Sequence, residues 1–131
     1  MKKAQVSFEY ILLVGIVFFF VAFVLYYTII ESNHTIKMNM ANDVVTRLAK
    51  TADMVYALGP GSRDYIQIEM PYGVQSTNIS NKKISLKIKI FSNVSDVFAE
   101  TKVNVTGTLP IKGGIQHVSV KVLNNYTVQI S

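Results

Sequence analysis

The pattern of hydrophobic and polar positions changes twice along the chain. Residues 10–30 contain no charged side chain and consist mainly of Ile, Leu, Val, Phe and Tyr. A helix needs about 20 apolar residues to cross the hydrocarbon core of a bilayer, so residues 5–30 are predicted to form a helix of membrane-spanning length. Residues 31–58 place apolar side chains at helical spacing and polar ones between them, which predicts an amphipathic helix. Its predicted apolar face consists of Ala41, Val44, Val45, Leu48, Ala49, Ala52, Val55 and Tyr56.

The segment Leu58-Gly59-Pro60-Gly61-Ser62 predicts the end of this helix. Neither proline nor glycine occurs between Ile16 and Leu58, so no helix breaker interrupts the predicted helix before that point. Glycine suits the left-handed position that caps a helix, and proline cannot continue one. Residues 5–58 are therefore predicted as one long helix, and residues 59–63 as its stop and a linker.

Residues 64–131 show the two-residue alternation of β-strands. The clearest strands are predicted at residues 84–90, 118–122 and 126–130, and weaker ones at residues 64–70, 74–79, 97–101 and 102–108. Leu123-Asn124-Asn125-Tyr126 predicts a tight hairpin turn, because asparagine tolerates positive φ. The predicted fold is α+β: a long N-terminal hydrophobic helix followed by a small antiparallel β-sheet or β-sandwich head that packs on the amphipathic helix.

Composition and charge argue against several kinds of function. The net charge is +5, but most lysines are scattered, whereas a nucleic-acid binder concentrates its basic residues beside stacking aromatics. The chain has no cysteine, which excludes disulfides and thiolate metal sites. His34 and His117 stand alone, and no known catalytic motif is present. We therefore predict no enzyme, catalytic residue, cofactor, metal site or nucleic-acid partner.

Five Asn-x-Ser/Thr sequons lie downstream of the apolar run. Such sequons are acceptors for N-glycosylation in domains that face the outside of a cell. Their number in so short a chain predicts an extracellular head, with Asn125 in its hairpin as the most accessible acceptor. The possible N-glycosylation sites are Asn33, Asn78, Asn93, Asn104 and Asn125.

The residues before the apolar run predict its orientation in a membrane. Residues 1–4 form a short basic leader with Lys2 and Lys3, which the positive-inside rule places on the cytoplasmic side. The apolar run is longer than that of an ordinary secretory signal peptide and lacks a small-x-small cleavage site. Glu9 either lies at the membrane interface or, after a cut between Ala4 and Gln5, pairs with the new amine of its own or a neighbouring chain.

The segment Lys3-Ala4-Gln5-Val6-Ser7-Phe8-Glu9-Tyr10-Ile11-Leu12-Leu13 resembles the class III signal peptide of archaeal type IV pilin-like proteins. The matching positions are Gln5, Ser7, Glu9 and Leu12, and Ala4 stands where such leaders often have glycine. The resemblance implies that a prepilin peptidase cuts between Ala4 and Gln5. It also implies that Ser7, Glu9 and Leu12 serve assembly, and that the hydrophobic helix leaves membrane lipid to form the core of a filament.

The function implied by this resemblance is that of a structural subunit of a type IV pilus-like surface filament. The precursor is expected in the cytoplasmic membrane, and the mature chain in an extracellular homo-oligomer joined through residues 5–58 by pilus assembly machinery. Two alternatives stay open: a minor or priming pilin, and a single-pass membrane-anchored extracellular binding module that forms no filament. The patterns do not distinguish adhesion from other filament roles.

Overall fold

The computed structural model describes residues 2–131 and divides the chain into two compact units, residues 1–35 and residues 36–131. One helix, α1, spans Lys2–Leu58. The predicted long N-terminal helix is therefore confirmed, and it already begins within the predicted leader, at Lys2. Within the first unit, every described residue is helical.

Seven strands follow the helix and form a single sheet in the order β1-β6-β7-β5-β2-β3-β4. Of its neighbouring strands, only β5 and β7 run parallel, and the other pairs are antiparallel. The fold is α+β as predicted, and the sheet alternative is confirmed over the sandwich alternative. The strands are β1 (Arg63–Met70), β2 (Val74–Ser80), β3 (Lys83–Ile90), β4 (Asn93–Glu100), β5 (Val105–Gly107), β6 (Gly114–Val122) and β7 (Val128–Ile130).

One face of the sheet packs against the part of α1 that lies in the second unit. Leu48 on the helix and Val120 and Ile130 on the strands are all inaccessible to solvent, and all three belong to one core cluster. Since side chains alternate across a strand, the opposite face of the sheet carries the polar positions, including His117. Seven of the eight residues predicted for the apolar helix face are buried: Ala41, Val44, Val45, Leu48, Ala49, Ala52 and Val55.

Tyr56, the eighth, was predicted incorrectly: it is 37% exposed. Its ring makes an edge-to-face contact with the ring of Tyr126, with 6.2 Å between the ring centroids. The spacing of the helix brings Tyr56 near the apolar face, but its ring packs on the turn before β7 instead of in the core.

The segment after α1 reverses the chain through two glycines. Gly59 and Gly61 both have positive φ, at 97° and 86°, a conformation that glycine adopts without steric strain. The N–H of Gly61 then donates to the carbonyl of Val122, and the N–H of Val122 donates to Ser62, each at 3.0 Å. These bonds attach the linker to the end of β6.

Several strand ends differ from the prediction. β4 begins at Asn93 and not at residue 97, because its first residues pair with the end of β3. Thr101 leaves the strand: its N–H donates to the carbonyl of Lys82 at 2.8 Å and its hydroxyl donates to Val103 at 2.6 Å. β5 is correspondingly shorter than the predicted strand at residues 102–108.

The predicted hairpin between β6 and β7 is present, but its positive φ was assigned to the wrong residue type. Val122 pairs with Val128, and the N–H of Tyr126 donates to the carbonyl of Leu123 at 3.0 Å. The residue with positive φ in this turn is Tyr126, at 59°, and not an asparagine. β7 begins only at Val128 for this reason.

Candidate functional site

The first candidate site is the apolar segment, residues 5–30 of α1. The helix is long and apolar enough to cross a membrane, and none of its most apolar stretch is buried within the chain. All residues of the segment are exposed except Val14 and Ile30, which are half-buried, and Phe18 and Phe19 are each 71% exposed. A continuous exposed apolar surface of this kind marks a site that contacts a membrane or another protein.

The helix distributes the predicted assembly residues over two faces. Gln5, Glu9 and Leu12 follow at intervals of four and three residues, so they lie on the same face of an α-helix. Ser7 is two residues from Glu9, which places it about 160° away around the axis, since each residue turns the helix by about 100°. The four motif residues therefore do not form one cluster, and the face with Gln5 and Glu9 is the one that can place an amine beside a carboxylate.

Glu9 is exposed, and its carboxylate has no basic partner among residues 2–131. The ion pair found among residues 2–131 lies far from Glu9, on the amphipathic part of the helix, where it joins Arg47 to Asp43 at 2.8 Å. A carboxylate at the centre of a bilayer raises the free energy by about 2.5–3.5 kcal/mol, and by less near the interface. Any stabilising partner of Glu9 therefore has to come from the interface, from the amine of a processed chain or from another molecule.

The hydroxyl of Thr28, near the C-terminal end of the apolar segment, has a hydrogen-bond partner within the helix. Thr28 Oγ1 donates to the carbonyl of Val24 at 2.9 Å, one helical turn earlier. In an apolar environment an unsatisfied polar group raises the free energy by several kcal/mol, so this bond matters there. Thr28 therefore fits an environment that contains no water.

All five sequon asparagines are exposed. Asn33 lies in α1, Asn78 within β2 and Asn93 at the start of β4, whereas Asn104 and Asn125 lie in connections between strands. The side-chain oxygen of Asn125 accepts a hydrogen bond from the N–H of Thr127 at 3.2 Å. Asn125 is thus exposed, like the other four acceptors, and it lies in a turn closed by its own side chain.

A second candidate site, which we call the tyrosine cleft, lies in the second unit and has a volume of about 550 Å³. It lies between the last turns of α1, the turn between β2 and β3, the segment between β4 and β5, and the turn between β6 and β7. Its lining includes Asp53, Tyr56, Lys102, Asn104, Asn125 and Tyr126. Sequence reasoning missed this cleft because four distant segments form it, and only the sequons of Asn104 and Asn125 gave a signal there.

Among residues 2–131 no group of three or more His, Asp or Glu side chains is placed to hold a metal ion. His117 is exposed on the polar face of the sheet. Comparison with models of protein families, with curated proteins and with solved structures found no match to this chain.

Proposed function

We propose that the chain is a structural subunit of an archaeal type IV pilus-like surface filament, processed before Gln5 and assembled through its hydrophobic helix. The observation that carries this proposal is the sequence Gln5-Val6-Ser7-Phe8-Glu9 at the start of a helical segment that is apolar and exposed on every side. This motif resembles the region around the cleavage site of archaeal type IV pilin-like precursors. The exposed apolar surface supports a partner, lipid or protein, along the whole segment.

The segment has two successive environments in this proposal. Before processing, Lys2 and Lys3 hold its start at the cytoplasmic face, and lipid covers the apolar side chains. The cut removes both lysines and leaves an amine at Gln5, which is four residues, or about 6 Å along the axis, from Glu9. Packing against other copies then replaces lipid around the side chains.

In this proposal Glu9 sets the height along the filament axis at which neighbouring helices pack. Its exposed carboxylate lies on the same face as Gln5, so the amine of the same chain or of a neighbour can neutralise it. Breaking a buried ion pair by removing one partner typically raises the free energy by about 3–5 kcal/mol, because the other charge stays buried alone. A chain whose helix lies at the wrong height in the filament leaves Glu9 in that state. Copies at the correct height are thereby favoured.

The second unit faces outward in this proposal. Four of the five sequons lie in it, and their asparagines are exposed. The chain has no cysteine, so the second unit folds without disulfides. Its stability comes from the hydrophobic core that the helix and the sheet share. Such a domain suits the outer surface of a filament.

N-terminal mass spectrometry of the protein recovered from the cell surface tests the proposal. The expected mature chain begins at Gln5, with or without cyclisation of that glutamine, and retains the apolar segment. A surface protein that begins at Met1, or one that lacks residues 5–30, contradicts the proposal. Electron microscopy of filaments sheared from the cells should show fibres that contain this chain, and their abundance separates a major subunit from a minor or priming one.

The tyrosine cleft favours one second candidate, a membrane-anchored binding module whose head holds a ligand. That function needs the helix only as an anchor, so replacing Glu9 by glutamine would leave it intact and no filament would exist. Under the filament proposal the same substitution should reduce filament assembly while the chain still enters the membrane.

A further inference from the structure

We infer that Asn125 is a glycosylation site whose glycan packs into the tyrosine cleft of its own chain. The inference rests on the proposed function in one respect, the outward placement of the second unit. It goes beyond that function because it assigns one acceptor among five and gives the attached sugar a defined binding surface.

The turn at Asn125 leaves the side-chain nitrogen, Nδ2, available for the attachment of a sugar. Its Oδ1 is engaged by the N–H of Thr127 at 3.2 Å, so the amide has a fixed orientation. Nδ2, the atom that carries the sugar in an N-glycan, is not used by that bond. The residue is exposed, and the third position of its sequon is Thr127 itself.

The modification is a group transfer from an activated donor, a lipid-linked glycosyl phosphate or pyrophosphate. Nδ2 of Asn125 forms a bond to the anomeric carbon of the sugar, and the bond from that carbon to the phosphate oxygen breaks. The phosphate leaves with the electron pair, and the proton lost from Nδ2 passes to a base of the transferase. An exposed turn allows the transferase to reach this atom.

The cleft next to Asn125 has the surface chemistry of a saccharide site. Tyr126 and Tyr56 are 58% and 37% exposed as whole residues, and tyrosine rings provide flat apolar faces against which the C–H faces of a sugar pack. The cleft also contains the carboxylate of Asp53 and the side chains of Lys102 and Asn104, which provide hydrogen-bond partners for hydroxyl groups. Its volume of about 550 Å³ lies within the range of sites that hold small ligands.

The position of the Tyr126 ring supports a function for it. Tyr126 has φ of 59°, a left-handed conformation that glycine and asparagine adopt more readily than an aromatic residue. Asn81 and Phe91 have a similar φ in other connections between strands, so positive φ alone does not single out the cleft. The ring of Tyr126 lies edge-to-face with that of Tyr56, 6.2 Å away between centroids, beside the acceptor asparagine.

A glycan that is covalently attached to Asn125 can occupy the tyrosine cleft through weak contacts. A group held by a short tether has an effective concentration in the millimolar range at a neighbouring site. The tyrosine cleft therefore needs only low intrinsic affinity to hold a sugar attached to Asn125. This argument selects the glycan of the same chain, and not a free saccharide, as the occupant.

The first part of the test is glycopeptide mass spectrometry of the full chain purified from its own cells. We expect sugar on Asn125 in the natural chain and in Thr127→Ser, which retains the sequon. Thr127→Val has nearly the same shape, but it removes the sequon and should leave Asn125 unmodified. Asn125→Gln provides a second unmodified form in case Thr127→Val does not fold.

The second part measures hydrogen exchange of the amides of residues 123–128 in these forms. If the glycan packs in the cleft, these amides should exchange about fivefold faster in Thr127→Val than in Thr127→Ser. Tyr126→Ala should speed exchange in the glycosylated chain by more than it does in the Thr127→Val background. The control is the sequon at Asn93, removed by Ser95→Ala, which should leave residues 123–128 unchanged.

Three results would overturn the inference, and they have different meanings. Sugar on other sequons but not on Asn125 refutes this site and leaves the outward placement standing. Equal exchange rates with and without sugar on Asn125 show that the glycan does not pack in the cleft. If no sequon carries sugar, the inference fails together with the support that the sequons give to an outward placement, while the N-terminal test of the filament proposal stands separately.

Discussion

The carboxylate of Asp53 accepts a hydrogen bond from the backbone N–H of Lys102 at 3.0 Å. Asp53 lies in the last turns of α1, and Lys102 lies in the turn that follows β4. The bond attaches the helix to one wall of the tyrosine cleft, and it does so outside the hydrophobic core.

Replacing Asp53 by alanine should lower the free energy of unfolding by about 1 kcal/mol, the usual net value of such a bond. Asp53→Asn keeps an acceptor oxygen and should lower it by less. Urea denaturation of the full chain in detergent measures both. The control is Asp43→Ala, which removes the exposed ion pair with Arg47 and should lower the free energy by no more than about 0.5 kcal/mol. Equal losses at Asp53 and Asp43 would contradict the importance of the bond to Lys102.

Gly107 lies where a side chain has no room. It has φ of 134°, and a Cβ atom there would collide with the backbone carbonyl of Ile130 on the neighbouring strand β7. Gly107→Ala should therefore separate β5 from β7 and lower the free energy of unfolding by about 3 kcal/mol or more. Gly61→Ala is the matched control, since Gly61 has φ of 86° but open space around it, and strain alone should lower the free energy by about 1 kcal/mol. Thermal denaturation distinguishes them, and similar losses would show that the sheet accommodates a Cβ at Gly107.

Two leucines on the same helix test where the core lies. Leu48 is fully buried against the sheet, whereas Leu58 is 71% exposed at the end of α1. Leu48→Ala should lower the free energy of unfolding by about 2–5 kcal/mol, because it removes buried methyl groups and leaves a cavity. Leu58→Ala should change it by less than about 0.5 kcal/mol. Chemical denaturation measures the difference, and a small effect at Leu48 would place the helix away from the sheet.

Glu9→Gln separates membrane insertion from assembly. The substitution removes a charge that opposes insertion, so the precursor should enter the membrane fraction at least as well as the natural chain. Assembly should fall by tenfold or more if Glu9 pairs with an amine in the filament, and the yield of sheared filaments measures it. Glu31→Gln removes the acid at the other end of the apolar run and should assemble normally. A normal filament yield from Glu9→Gln would refute the pairing role.

The regular elements could be predicted because their residues follow one period over many positions. The strict alternation of residues 84–90 predicted β3, and the burial of its isoleucines and leucine on one face agrees with it. The end of α1 could be read from Gly59 and Pro60. Local patterns of this kind need no knowledge of the strand order, and the order itself was not predicted.

The differences arose where distant residues decide the local structure. Thr101 has a β-branched side chain that favours a strand, but its N–H bonds to Lys82, and the chain turns there. Tyr126 adopts positive φ although its residue type disfavours it, and its contact with Tyr56 spans 70 positions of sequence. The tyrosine cleft depends on both of these contacts, so no local pattern could have predicted it.

The exposure of the apolar segment on all sides has a consequence for order in an assembly. A helix that is apolar all around favours association with other copies, but it does not specify the angle or height at which two copies pack. Phe18, Phe19 and Phe20 point in three directions around the helix and are all exposed, so they offer contact to any neighbour. In a regular assembly formed through this segment, the relative height and angle of the helices have to be fixed by its few polar or charged groups. Glu9 is the one charged side chain within the segment, so in such an assembly we expect it to set the height at which neighbouring helices meet.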